Sequence, residues 1–249
     1  MYMIVDAHCH LGETPHYGQS AEDLLRQMDA NGVDRAVIVG SGRHIVVENE
    51  EGNRSIAETV RRYPDRFYGF ACVNPWYGEK ATNELRRAVT EGLVGLKLHP
   101  SMQGYWANDP IVEPVVHSAI ELRLPIYIHS GTPIYSLPLQ IVELAEKYPA
   151  GTFIMGHMGG ADFYVDVPSS AKRAPNLYYE TSLTCHVGYV DEIIVQAGHQ
   201  RVLFGSDSPT SQQAAELLKV RLARMTDAQC RDVLGENFVH LLASTGGSL

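Results

Sequence analysis

Short apolar, β-branched and aromatic runs recur along the chain, each closed by Gly, Pro, Asp or a polar residue. They are Met3–His10, Arg35–Gly40, Phe67–Asn74, Gly95–Pro100, Pro125–Ser130, Thr152–His157, Leu177–Thr181 and Val202–Asp207. Ala36-Val37-Ile38-Val39 and Pro125-Ile126-Tyr127-Ile128 are apolar at every position, as expected of strands covered on both faces in a parallel sheet. Between the runs, apolar residues recur with helical period. Ser20 begins the first such segment as a capping box, Met28 continues its apolar stripe and Gly32 ends it. Ser55–Tyr63, Glu79–Glu91, Pro110–Leu122, Leu137–Tyr148, Val190–Ala197 and Gln212–Ala223 follow the same pattern. The segment Asp162–Lys172 is less regular, and Asp227–Leu242 predicts an additional terminal helix broken near Gly235.

Strand and helix alternate eight times, which predicts an α/β fold of the (β/α)8 TIM-barrel type. The 249 residues match that architecture as a single domain, 1–249. A doubly wound open sheet competes at this length. Its commonest nucleotide signature, Gly-x-Gly-x-x-Gly after the first strand, is missing.

Composition narrows the function classes. A formal net charge of −9 gives no overall electrostatic footprint for nucleic acid or an anionic membrane. No apolar run approaches the ~20 residues that a bilayer-spanning helix needs. With no basic segment and apolar stretch ahead of the first strand, the expectation is a cytoplasmic protein. The four cysteines are scattered, so reduced thiols are expected.

In a parallel barrel, residues at the C-terminal strand ends converge on one mouth. Those positions hold His8 and His10, Lys97 and His99, His129, His157 and Asp207. Strand alternation puts His8 and His10 on one face, with Ala7 and Cys9 on the other, and groups Lys97 with His99. Imidazoles and one carboxylate are the ligand types of a hydrolytic zinc, iron or manganese centre. Such an ion acidifies water toward neutrality and polarises a carbonyl. Asp207 has a second reading as the cap of the helix that follows it.

The sequence resembles the amidohydrolase superfamily, and within it the amidohydrolase 2 family of minimal barrels that includes aminocarboxymuconate-semialdehyde decarboxylase-type enzymes. The resemblance rests on Asp6-Ala7-His8-Cys9-His10, Gly95-Leu96-Lys97-Leu98-His99-Pro100, Ile128-His129-Ser130-Gly131, Gly156-His157-Met158-Gly159-Gly160 and Leu203-Phe204-Gly205-Ser206-Asp207-Ser208-Pro209. It implies one divalent metal on His8, His10, His129 and Asp207, zinc first, with manganese or iron as alternatives. It also implies catalytic roles for His157 and Asp207. Lys97 is open: carboxylated, it bridges two metals; unmodified, it pairs with a substrate carboxylate or with Glu180.

Candidate substrate-binding residues are Lys97, His99, Tyr105, Trp106 and Tyr135. Arg43, His44 and His186 lie in mouth loops, and Trp76 and Tyr77 follow the third strand. The first functional reading is a hydrolase that cleaves an amide, ester or lactone of a small carboxylated substrate. The alternative is a non-oxidative decarboxylase of a small aromatic or unsaturated acid. A TatD-like nuclease also starts with His-x-His, but that family carries a glutamate on the fourth strand where this chain has Lys97. A non-catalytic barrel would need a damaged ligand set. The expected partner is a small molecule, with no nucleic acid, no membrane and a homo-oligomer as an option.

Overall fold

Among the described residues there are nine strands, eight of them on the apolar runs: β1 (Val5–Glu13), β2 (Gly18–Gln19), β3 (Arg35–Gly40), β4 (Phe67–Cys72), β5 (Gly95–Leu98), β6 (Pro125–His129), β7 (Thr152–Gly156), β8 (Leu177–Glu180) and β9 (Val202–Leu203). These belong to a computed structural model that describes residues 2–246. The helices are α1 (Ala21–Asn31), α2 (Arg43–Val46), α3 (Asn49–Arg62), α4 (Glu79–Thr90), α5 (Pro100–Gln103), α6 (Glu113–Glu121), α7 (Pro138–Lys147), α8 (Val167–Arg173), α9 (Val187–Ala197), α10 (Gln213–Leu222), α11 (Asp227–Arg231) and α12 (Asn237–Thr245).

The sheet order is β2-β1-β3-β4-β5-β6-β7-β8-β9, parallel throughout except for the β2–β1 hairpin. That hairpin lies outside the predicted set and carries β1 on to Glu13. The predicted eighth strand, Val202–Asp207, pairs with β8 only at β9. Its remainder turns to β1 instead: Ala7 N donates to Phe204 O at 2.9 Å, Asp207 N to His8 O at 2.9 Å and His10 N to Ser208 O at 2.7 Å. These bonds close the barrel and bring two ends of the sequence to one mouth.

Inward and outward residues separate cleanly. Val37, Val39, Tyr68, Phe70, Tyr127, Ile154 and Leu203 fill the barrel, while Ala36, Ile38, Ile126, Phe153 and Met155 pack against the helices. From below, Phe238, Leu241 and Leu242 of α12 close the barrel. Its helix breaks as expected: a π-helical stretch, Asp232–Glu236, separates α11 from α12. A Cβ on Gly235 would stand 2.2 Å from Met3 O, and Phe204 N binds Val233 O at 2.9 Å, so sheet contact replaces regular helix there. At α1 the Ser20–Asp23 capping box is complete, and Gly32 ends the helix at φ 71°. The irregular Asp162–Lys172 segment becomes one 3-10 turn, Tyr164–Asp166, followed by α8.

Candidate active site

A β-bulge corrects the expectation for the first strand. The β1–β3 register shifts between Asp6 and Cys9, and Ala7 packs in the inner cluster rather than turning away. Asp6 points outward, accepting Ser206 N at 2.8 Å and Gln213 Nε2 at 2.9 Å. Cys9 faces the helix layer, as expected. The extra residue lets His8 join His10 at the mouth.

Three of the four expected metal ligands meet. His8 Nε2 is 3.1 Å and His10 Nε2 3.2 Å from Asp207 Oδ1, and the two nitrogens are 3.1 Å apart. All three residues are buried. His10 Nδ1 lies 3.0 Å from Gly40 O, which can only accept, so Nδ1 carries hydrogen. In the neutral ring, Nε2 therefore aims a lone pair at the carboxylate. Burial holds His8 well below its ordinary pKa. Burial raises Asp207, but the adjoining His10 and then His8 imidazoles outweigh it and keep the group well below the usual carboxylate range. Neutral nitrogen and anionic oxygen donors converging in this way call for a cation, and the set fits a divalent metal.

His129 does not join the trio. Its Nε2 meets Thr132 Oγ1 at 2.9 Å, and its ring stacks on His99 at 3.9 Å and lies 4.9 Å from the His157 ring. Strict alternation from Ile154 would turn His157 toward the helices. Positive φ values at His157 (66°) and Met158 (43°) redirect it inward, a strained backbone of the kind found at working sites. Asp207 also adopts positive φ, 54°. Burial lowers the pKa of His157 to about 4.

Lys97 is fully buried inside the barrel. Its Nζ sits 3.0 Å from His8 Nε2 and 4.0 Å above the Tyr127 ring, so the sequence-based pairing with Glu180 is not made. Burial lowers its pKa to about 8. Glu180 instead accepts from Tyr127, Ser182 and the His157 backbone. In sequence Glu180 stands out only as a partner for Lys97, and Tyr127 and Ser182 carry no mark of a site role. Inward parity along Leu177-Tyr178-Tyr179-Glu180 was the available signal.

The remaining candidates divide. Tyr105 corrects its expected role: it is buried, with its hydroxyl on Gln103 Oε1 at 2.7 Å, and buttresses the wall rather than facing the mouth. Gln103 is a hub that sequence did not reveal. It also accepts from His99 N and donates to Ile45 O and Val73 O, tying together the loops after β3, β4 and β5. His99 caps α5 and stacks on His129. Trp106, Tyr135, Trp76 and Tyr77 are exposed. Trp76 is anchored through Nε1 to Gln103 O at 3.0 Å.

Glu180 gives a pH prediction. Burial raises its pKa from 4.5 to about 7, so the folded chain binds a proton that the unfolded chain has released. That contribution is full below about pH 4.5 and is lost as pH rises through about 7, a swing of about 3 kcal/mol. Urea unfolding across this range should show E180Q gaining about that much relative to the parent protein. A pH-independent difference would refute the shift.

The amidohydrolase family model matches residues 5–241. Gamma-resorcylate decarboxylase from Rhodococcus jostii (strain RHA1) is 25% identical over 212 residues, covering 63% of this chain and 64% of that protein, just under two thirds of its length. The Polaromonas sp. (strain JS666) protein of the same name is 25% identical over 253 residues, covering 74% of this chain and 76% of its own. Among solved structures, 5-carboxyvanillate decarboxylase from Sphingomonas paucimobilis superposes with a TM-score of 0.81 at 17% identity, covering 98% of this chain and 99% of that one. Dihydroxybenzoic acid decarboxylase from Polaromonas sp. JS666, with bound manganese and the inhibitor 2-nitroresorcinol, gives 0.79 at 19% identity, covering 98% and 97%. At these identities the structural likeness shows the barrel fold. The sequence match over nearly the whole chain shows more: the chain belongs to the amidohydrolase family.

Proposed function

We propose that this protein is a metal-dependent non-oxidative decarboxylase of a small aromatic or unsaturated carboxylic acid, acting in the cytoplasm. The observation that carries the reading is the match, over most of the chain, to relatives named as decarboxylases. The site is consistent with it. His8, His10 and Asp207 would hold a divalent ion, with His129 as the proposed fourth ligand, and the ion would supply positive charge to orient an acidic substrate and offset developing negative charge. Manganese, iron and zinc all accept this donor set.

Lys97 adds a buried cation beside the trio, suited to an anionic substrate. His99, Trp106 and Tyr135 are proposed to contact the substrate, with Tyr105 supporting them from behind. In the reaction the carbon–carboxylate bond breaks, its electron pair stays on carbon and CO2 leaves. A proton drawn from solvent then replaces it, relayed to carbon through Asp207, which returns to its carboxylate form, with His157 orienting the substrate. Asp207 Oδ1 is engaged by both imidazoles, which leaves Oδ2 for that proton.

The first functional reading, hydrolysis of an amide, ester or lactone, uses the same residues. Product analysis separates the two. Protein supplied with Mn²⁺ and 2,6-dihydroxybenzoate, 5-carboxyvanillate or related acids should release CO2 in step with loss of the acid. Hydrolysis of carboxylated lactones or amides without CO2 release from any acid would return the reading to a hydrolase.

A further inference from the structure

The tautomer of a buried histidine is set by the group that its second nitrogen meets. At His157 that group is Ser182, whose Oγ lies 2.7 Å from Nδ1. The same hydroxyl lies 2.9 Å from Glu180 Oε2, and it has one proton to give. Glu180 Oε2 also takes the Tyr127 hydroxyl at 2.6 Å and the His157 backbone N–H at 3.2 Å, while Oε1 takes Ser182 N at 2.5 Å. Two of these donors are backbone amides and cannot reverse. The surroundings are thus arranged to receive a carboxylate. Ser182 then donates to Glu180, its oxygen is left to accept, and His157 Nδ1 must carry hydrogen.

The space around this carboxylate is cleared by two glycines, Gly156 at the end of β7 and Gly205 just after β9. A Cβ on Gly205 would come within 2.3 Å of Glu180 Oε1, and one on Gly156 within 2.3 Å of the Tyr127 hydroxyl. No cation makes a hydrogen bond to Glu180 among the described residues. A charge removed from water without such a partner is costly, and a well-packed apolar residue would serve the fold better.

We propose that Glu180, acting through Ser182, is a positioning residue that holds His157 as its Nδ1–H tautomer and leaves Nε2 with its lone pair for the substrate. The chain Glu180–Ser182–His157 thereby decides which nitrogen exchanges a proton. This rests on His157 being the catalytic group proposed above, but its test needs no turnover.

The test is long-range ¹H–¹⁵N correlation of ¹⁵N-histidine-labelled protein at pH 8, loaded with Zn²⁺ to keep the sample diamagnetic. The His157 signals are assigned by their loss in His157→Asn. The parent protein should show Nδ1–H. Ser182→Ala removes the acceptor and should move the signal to Nε2–H, while Ser182→Thr keeps the hydroxyl and should restore Nδ1–H. Glu180→Gln frees the Ser182 proton for Nδ1 and should also give Nε2–H. Parent protein with Nε2–H, or Ser182→Ala with unchanged Nδ1–H, overturns the proposal. A parent-like spectrum in Glu180→Gln removes Glu180 from it. Metal content and far-ultraviolet circular dichroism identify any variant that fails to fold, and Ser182→Thr keeps the test decisive in that case.

Discussion

His8→Ala protein should purify folded, hold little metal and show no activity above background. His8 is the hub of the site: its Nε2 lies within 3.1 Å of Asp207 Oδ1, His10 Nε2 and Lys97 Nζ. Removing the imidazole takes away a metal donor and leaves Lys97 without its neighbour, a buried cation facing a void. Loss of a mere supporting partner of a metal ligand costs ~10–100-fold in affinity, so loss of the ligand itself should cost at least that. The fold should survive because His8 closes the barrel through its main chain, with His8 O accepting Asp207 N at 2.9 Å. Metal analysis of chelator-free preparations, with circular dichroism as the control for folding, checks the result. Stoichiometric metal at parental affinity in His8→Ala would sink the assignment.

His157→Asn should lower the rate by ~10²–10⁴-fold, the usual contribution of a general acid–base group, while metal content stays near that of the parent. Asparagine preserves a short polar side chain beside Ser182 but cannot shuttle a proton at neutral pH. The His157 ring stands 5.6 Å from the His8 ring, and its Nδ1 is engaged by Ser182. That geometry suits a group acting beside the metal rather than one holding it. Metal content halved in the variant would instead favour two metals, with Lys97 as the bridging residue.

The barrel was legible because its signal is local and repeated. Runs such as Ala36-Val37-Ile38-Val39 are apolar on both faces, and helix-period segments with caps such as Ser20 and Gly32 separate them. The site candidates were legible for a related reason: in this architecture a polar residue at a strand's C-terminal end has one place to go. The misses share a different cause. Ala7 was placed by a period of two, and a bulge between Asp6 and Cys9 broke that period. Tyr105 sits in sequence where a mouth loop is expected, but a buried bond to Gln103 draws it into the wall.

The sequence by itself determined the alternation of strand and helix, the His8–His10 pair, and the positions of Lys97, His129, His157 and Asp207 along the chain. These follow from neighbours a few residues apart, whose periodicity and turn chemistry are written in order. Only the tertiary structure decided that residues 204–208 leave β9 to bond β1, which sets Asp207 against His8 and His10. Only it decided that Glu180 serves His157 through Ser182 rather than Lys97, and that positive φ turns His157 inward. These outcomes depend on which donors and acceptors meet once water is excluded, between segments far apart in the chain. A one-dimensional pattern carries no term for that competition, and the packed barrel settles it.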